Sequence, residues 1–368
     1  RDTCRIVSPC ASVGLKQTQI RKEFMSTKIR IGIIGCGAIA ERLHAPEYAN
    51  SPDADLVAFC DVVKSKAESI ASKFAPRAQV FTDYMQLLKN ADVQGVSVCL
   101  PNYLHGPVSI DSLKAGCNVL VEKPMATSMA EARRMLEAAR KAGKLLAVNQ
   151  SQRLFPAHAK AREVMVSGIM GKVLHVSAMF GHAGPEYWSP SGKWFFDKKK
   201  ARFGAMADLG VHKADLVRYL TGKEVGSISA FFERLEKKSA SVEDNFVAAL
   251  KFTDGTVGTL AASWTVKGAE ANYTILYCTN GTLSICAFPG RPLVAHLIHP
   301  ECEINFDVPP PPENDDNGWG LDIGGRFCRA IKGEEAPYCS GEEGMKSLEV
   351  ILAAEKAALS GRTVQIKR

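Results

Sequence analysis

One decapeptide constrains this chain more than any other stretch: Ile31-Gly32-Ile33-Ile34-Gly35-Cys36-Gly37-Ala38-Ile39-Ala40. An apolar strand, two glycines flanking a small residue, and a run entering a helix are the strand, tight turn and helix start of a dinucleotide-binding βαβ unit. In that unit Gly35 makes the turn and Gly37 lets the backbone approach a pyrophosphate. Ala38 and Ile39 open the helix, whose free N–H groups and dipole face the phosphates, and Ala40 stands where a third glycine often packs helix on strand. The same pattern also suits a plain glycine turn. What favours the nucleotide site is Leu56-Val57-Ala58-Phe59-Cys60-Asp61, a second apolar strand ending in a carboxylate at the required distance. Asp61 can accept both ribose hydroxyl hydrogen bonds but would repel a 2′-phosphate. NAD is therefore expected rather than NADP, with Lys64 and Lys66 the basic side chains able to swing toward a phosphate.

Strands alternate with helices as far as residue 149. Helices are expected at Lys64–Phe74, Asp83–Lys89 and Pro107–Ala115, where Gly116 is the stop, and Ser128 with Glu131 makes a capping box for another. Buried strands at Val96–Leu100, Val119–Val121 and Leu145–Asn149 complete a parallel, doubly wound α/β sheet, whose ligands gather beyond the strand C-termini. The pattern then changes. Helices at Ala157–Ser167 and Gly204–Leu220 enclose a strand, Lys172–Phe180, and an aromatic loop, Gly181–Phe203. Strands follow at Val225–Arg234, Asp244–Phe252, Val257–Trp264, Asn272–Cys278 and Thr282–Cys286, with hairpin turns at Gly255 and Gly281. This is a second, α+β domain with helices on one face of a mainly antiparallel sheet. Pro309–Pro312 opens a surface loop, and a last long helix runs from Gly344 to Leu359.

The length of 368 residues suits two domains. The formal charge of +7 is partly carried by Arg1, Arg5, Lys16, Arg21 and Lys22, and no basic stripe marks a nucleic-acid partner. Residues 1–24 lack periodicity and the apolar core of a secretory signal. A targeting peptide or a vector-derived or upstream-translated extension is expected there, without order. No segment is apolar enough to span a bilayer. Eleven cysteines, an odd number, sit mostly in apolar contexts such as Cys60, Cys99, Cys117 and Cys278, which suits a reduced, cytoplasmic protein. Cys36 reads as a small filler rather than a nucleophile.

Two places carry candidate chemistry. Glu122-Lys123-Pro124 ends a strand on the dinucleotide side, where Lys123 can reach a nicotinamide ribose or a substrate hydroxyl, and Pro124 holds Lys123 extended. On the helix Gly204–Leu220, the positions Ala205, Leu209, His212, Leu216 and Tyr219 form one line with Asp208 and Asp215 beside it. His212 is either a core imidazole held by a carboxylate or an acid–base group that Asp208 orients. A metal site of His212, Asp208 and Asp215 ranks lower, for want of a further ligand, and no metal is expected. In the loop 181–203, His182, Tyr187, Trp188, Trp194, Phe195 and Phe196 can form a lid that stacks on a sugar ring, or can merely anchor the connection. Lys198, Lys199 and Lys200 would matter only for an anionic substrate, and a neutral one is expected.

Taken in order, the glycine turn with Asp61, Pro101-Asn102-Tyr103-Leu104-His105, Glu122-Lys123-Pro124, and Asp208-Leu209-Gly210-Val211-His212 with Asp215 resemble the glucose–fructose oxidoreductase, inositol dehydrogenase and rhizopine-catabolism family of NAD(P)-dependent sugar and polyol oxidoreductases. The resemblance runs from about Lys28 to Lys367. It implies a Rossmann-type domain over 27–150 and a substrate-binding and oligomerisation domain over 151–320 on an open sheet supporting a homodimer or homotetramer. A C-terminal segment, 321–368, would return toward the first domain. It also implies that Lys123, Asp208 and His212 are catalytic, with Asp208 and His212 also binding substrate. Pro101, Asn102, His105, Glu122 and Lys123 would surround the cofactor, and Arg153 would lie near nicotinamide or substrate, with Tyr187, Trp188 and Trp194 above. Phe203-Gly204-Ala205 departs from the several consecutive glycines of many members. The expected activity is hydride transfer between NAD and a sugar, cyclitol or polyol; the alternative is a non-catalytic NAD-binding sensor or scaffold.

Overall fold

A computed structural model of the protein describes residues 28–190, 192–309 and 319–367. The extension at 1–24 and most of the loop opening at Pro309 lie outside the described residues.

Strands β1 (Ile29–Ile34), β2 (Ala54–Cys60), β3 (Gln79–Phe81), β4 (Gly95–Val98), β5 (Asn118–Val121) and β6 (Leu146–Val148) form a parallel sheet in the order β3-β2-β1-β4-β5-β6. The order reverses at β1, so the C-terminal ends of β1 and β4 diverge and leave the crevice in which such sheets bind ligands. Their near-continuous apolar runs reflect burial on both faces: Ile31, Ile33, Val96, Val98, Val119 and Leu120 have no exposed surface. A π turn, Ala40–His44, leads into α1 (Ala45–Ala49), and α2 (Lys64–Phe74), α3 (Tyr84–Asn90), α4 (Asn102–Lys114) and α5 (Met129–Ala142) complete the crossovers.

The α4 helix begins earlier than expected, with Pro107 inside it. Its first turn is held from outside. Both ring nitrogens of His105 lie 2.7 Å from carbonyl oxygens, those of Pro124 and Leu100, and Asn102 Nδ2 donates to Ala201 O at 2.8 Å. The Ser128 cap forms as expected, Oγ accepting from Glu131 N, but Glu131 reaches back to Thr127 N rather than to Ser128.

The second sheet has nine strands: β7 (Val173–Gly181), β8 (Val225–Glu233), β9 (Asn245–Phe252), β10 (Val257–Ser263), β11 (Ala271–Cys278), β12 (Gly281–Phe288), β13 (Arg291–Ile298), β14 (Glu301–Asn305) and β15 (Val364–Gln365). The order is β14-β13-β12-β11-β7-β10-β9-β8-β15, antiparallel except where β7 meets β10. One face packs on α6 (Pro156–Val166), α8 (Val211–Thr221) and α10 (Gly341–Ser360), joining Leu216, Leu220, Ile228, Leu250, Leu260 and Ile351 in one core. Side chains alternate along β9, so Phe246, Ala248 and Leu250 point into this core while Val247 faces out. Trp264, just past the end of β10, is fully buried in the same core and donates Nε1 to Asp208 Oδ2.

Strands β13 and β14 and helix α9 (Ile323–Lys332) carry weak sequence signals. The β14 strand is mostly exposed and charged, and α9 opens with two glycines. The reason for one of them is close approach: a Cβ on Gly324 would stand 2.7 Å from the Tyr48 ring. Glu47 of α1 fixes this segment, accepting hydrogen bonds from Trp319 N, Leu321 N and Ile323 N.

Candidate active site

The glycine turn has the geometry its sequence implies. Gly35 sits at φ +95°, and a Cβ there would lie 2.3 Å from Cys99 O; a Cβ on Gly37 would meet nothing within 4 Å. The first glycine is thus required by the fold, while the second keeps open the space a pyrophosphate would fill. Asp61 Oδ2 accepts from Cys36 N and Oδ1 from Val63 N, each at 2.9 Å, bracing the turn from the end of β2. Lys64 pairs with Glu68 at 3.0 Å on the exposed face of α2. Burial, reinforced by Asp61, pushes the Cys36 thiol up to about 12, so it is inert filler.

Beyond these strand ends lies a cavity of about 510 Å3, inside the range of small-ligand sites. Ala38, Ile39, Arg42 and Leu43 line it from the glycine helix, Glu122 and Lys123 from the end of β5, and Asp208 and His212 from the second domain. The Lys123–Pro124 peptide is cis. Lys123 Nζ donates to Asp208 Oδ1 at 2.9 Å and to Asp208 O at 2.8 Å, while Trp264 Nε1 donates to Oδ2 at 3.0 Å. Burial alone would raise the Asp208 carboxyl; the Lys123 charge, His182 and these hydrogen bonds outweigh it and hold the group below the usual carboxylate range.

His212 differs from its expected arrangement. Asp208 accepts its hydrogen bonds from Lys123 and Trp264, and His212 Nδ1 is buried with no hydrogen-bond partner among the described residues. The physical reason is local. Met206–Gly210 is a π turn, so the spacing that would stack residue 208 under 212 on a regular α-helix does not hold. Burial, with the Lys123 and Lys213 charges, pushes His212 well below the ordinary imidazole value, leaving it neutral at pH 7. The π turn is held in place by Glu243, whose Oε1 accepts from Gly204 N at 2.7 Å and Met206 N at 3.0 Å. A Cβ on Gly204 would lie 1.8 Å from Glu243 O, so this one glycine of the Phe203-Gly204-Ala205 segment is required.

The remaining predicted residues divide. Trp188 lines the cavity, together with His182. Trp194 lies on a smaller adjoining space of about 60 Å3 with Asn102 and His105, stacked on Phe195 at 3.8 Å. Tyr187 is 72% exposed over Lys237, outside the cleft. Pro101 is the N-cap residue of α4. Lys198, Lys199 and Lys200 are exposed on a short helical turn. Arg153 is a correction: it is buried in a two-point ion pair with Asp215, at 2.6 and 2.7 Å, and Nη1 donates to Tyr338 O. That pairing also removes Asp215 from any site shared with His212.

Sequence reasoning missed the support beneath Glu122. Its Oε1 accepts from His44 Nε2 at 2.8 Å and Asn149 Nδ2 at 2.6 Å; His44 Nδ1 meets Ser97 Oγ, which meets the Tyr48 hydroxyl, and Tyr338 donates to Asn149. Burial raises the Glu122 carboxyl, but His44 and Lys123 outweigh it and keep it ionised. The available signal was His44 itself, a histidine that shares the buried side of this turn with Ala40 and Leu43. Gln152, Phe155, Glu270, Asn272 and Trp319 of the cavity wall carried no local signal.

Comparison with known proteins adds the family. Residues 29–150 match the oxidoreductase family with an NAD-binding Rossmann fold, and residues 158–284 match the C-terminal domain of the same GFO/IDH/MocA family. The chain is 26% identical over 362 residues to a D-glucoside 3-dehydrogenase of Escherichia coli (strain K12), covering 94% of this chain and 100% of that one. It is 29% identical over 287 residues to a 1,5-anhydro-D-fructose reductase of Ensifer adhaerens, covering 78% and 84%. The crystal structure of GenD2 from gentamicin A biosynthesis, in complex with NAD, superposes with a TM-score of 0.81 at 25% identity, covering 94% of this chain and 98% of that one. With both of its domains matched, the chain belongs to the GFO/IDH/MocA family of NAD-binding oxidoreductases.

Proposed function

We propose that this oxidoreductase interconverts a secondary alcohol and a ketone on a sugar, cyclitol or related polyol, with Lys123, Asp208 and His212 as its catalytic residues. The observation that carries the reading is their convergence on one cavity at the C-terminal end of the parallel sheet. Bound NAD would supply the hydride acceptor. Asp208, ionised and held by Trp264, fixes the Lys123 ammonium, which donates to the substrate oxygen and favours its alkoxide form. His212, neutral, takes the hydroxyl proton as the hydride leaves the same carbon, and returns it in the reverse direction. Gly37, Ala38 and Ile39 face the pyrophosphate and Asp61 the ribose, while Asn102, His105 and Glu122 wall the nicotinamide end.

Residues 27–150 would then hold the dinucleotide and 151–320 the substrate; of the segment 321–368, α9 packs on the first domain, while α10 and β15 pack on the second sheet. The relatives named for glucosides and anhydrofructose support a cyclic, hydroxyl-rich substrate. The uncovered face of the second sheet, with Phe231 76%, Val247 48% and Val257 47% exposed, is the surface through which we expect a homodimer or homotetramer. Light scattering showing a monomer at micromolar concentration would remove that part. The described cysteines are all free, which suits a reducing cytoplasm. Following reduced cofactor across a panel of cyclic polyols with NAD or NADP tests the function: turnover with NAD preferred supports it, and tight NAD binding without turnover would make the protein a sensor or scaffold.

A further inference from the structure

The cavity wall opposite the glycine helix belongs to the second sheet. Asn272 of β11 stands in register with Phe180 of β7, Glu270 precedes the strand, and Cys286 lies on β12. Asn272 Nδ2 donates to Glu270 Oε1 at 3.2 Å. The opposite amide orientation would set oxygen against carboxylate, so Glu270 fixes which way the amide faces. Asn272 Oδ1 is consequently left as an acceptor, buried and without a partner among the described residues. Two more buried polar atoms in the same condition belong to residues lining the same cavity: Gln152 Oε1 and His212 Nδ1. Buried polar groups in folded proteins are nearly always paired, so three orphans on the walls of one cavity mark a place built for a hydrogen-bonding ligand.

The charges are distributed unequally. The lysine and arginine of the cavity lining, Lys123 and Arg42, both come from the nucleotide half. The sheet wall contributes Glu270, exposed at the mouth, and no lysine or arginine among its described residues. Lys213 lies behind this wall, fully buried, with Nζ 3.3 Å from Thr274 Oγ1, and does not line the cavity.

We infer that Asn272, oriented by Glu270, and Gln152 form a subsite that accepts hydrogen bonds from substrate hydroxyl or ammonium groups flanking the reacting carbon. The substrate class is therefore a neutral or amino-substituted cyclic polyol, and a carboxylate or phosphate at this wall is rejected. Asn272 and Gln152 bind; Glu270 is a positioning residue. The inference rests on the dehydrogenase reading above and adds to it the residues that choose the substrate.

The test is steady-state NAD reduction with two matched series: methyl glucoside with its 2-amino-2-deoxy and uronate counterparts, and myo-inositol with an aminocyclitol and inositol monophosphate. The wild type should turn over neutral or amino members at least about tenfold more efficiently than anionic ones. Asn272→Ala should raise KM for the neutral member about tenfold with kcat much less affected and the KM for NAD unchanged, as expected when one buried acceptor is lost. Glu270→Lys, at an exposed position that folding tolerates, should narrow or reverse the discrimination against the anionic members. Turnover by the wild type with selectivity that neither variant moves, or a preference for the anionic members, overturns the subsite and leaves the dehydrogenase standing. Failure of the wild type to turn over any member overturns both.

Discussion

Two aspartates seven positions apart on one helical segment each receive a cation from a distant part of the chain, and they do opposite things with it. Asp215 takes Arg153 at two points, accepts also from Ser347 Oγ at 2.9 Å, and leaves the guanidinium stacked over Tyr219 at 4.9 Å with a further bond to Tyr338 O. This charge pair is closed on all sides. Asp208 takes Lys123, a compact ammonium that also lines the cavity, and the neighbouring His212 Nδ1 is unpartnered. A saturated, planar pair fixes the turn after β6 onto α8; a point charge with an open side can act on a ligand. Burial and ionic pairing are common to both, so neither distinguishes structure from chemistry. Unsatisfied valence does.

The sharpest break of this comparison is in turnover. His212→Asn should lower kcat by about 10²–10⁴-fold, measured as NAD reduction on a turned-over polyol, with NAD affinity and melting temperature little changed; Lys123→Ala should lower kcat as far but also melt earlier, because it leaves the buried Asp208 carboxylate without its cation. If His212→Asn instead melts far earlier and binds no cofactor, the imidazole is a core residue. Next in size, Arg153→Met should strand a buried carboxylate and cost about 3–5 kcal/mol of stability, read by denaturant unfolding, while the residual folded enzyme keeps its kcat. A kcat loss without destabilisation would return Arg153 to the substrate site.

Lys213 sharpens the contrast from a third direction, since it is a buried cation held by a long hydrogen bond to Thr274 Oγ1 and by the Phe180 ring, with no carboxylate paired to it among the described residues. Burial pushes its amine down to about 7, against the opposing pull of Cys286 and Glu270. The unfolded chain therefore binds the extra proton between about pH 7 and 10.4, and stability contributed by this site rises with pH across that window. Lys213→Met should stabilise the protein at pH 7 and remove that rise relative to wild type in melting curves at stepped pH. Asp208 has a dependence of the same sign in the acid range. Its depressed value gives stability that is full at neutral pH and lost as pH falls below about 4, and Asp208→Asn should flatten the acid limb. The smallest effect is expected at a site remote from both pairs, where Ser128→Ala should cost about 1 kcal/mol through the lost cap of α5 and leave kinetics alone.

What could be read in the sequence is what local backbone chemistry dictates. The glycine turn and the Ser128 cap each depend on residues a few positions apart, Asp61 stands at the end of an apolar strand at a set interval from that turn, and each of these local features is found where expected. The site was legible only as far as its motifs reached. Arg153 was misplaced because its partner lies 62 positions away, and the pairing of Lys123 with Asp208 spans 85. A regular helical wheel placed Asp208 against His212, and the π turn moved it to Lys123. Tyr187 and Trp188 are adjacent in sequence yet only Trp188 reaches the cavity, because a tight 3-10 turn at Pro185–Tyr187 separates their directions. The orphaned amide oxygens of Gln152 and Asn272 had no signature, since what makes them notable is the absence of a partner among the described residues in three dimensions.

The most direct test of the central claim is a crystal structure of the NAD complex soaked with a polyol the enzyme turns over. The reacting carbon should face the nicotinamide C4, with its hydroxyl within about 3 Å of both His212 and Lys123 Nζ. A polyol bound away from Lys123 and His212, or held through an anionic group by Lys198–Lys200, would contradict the account.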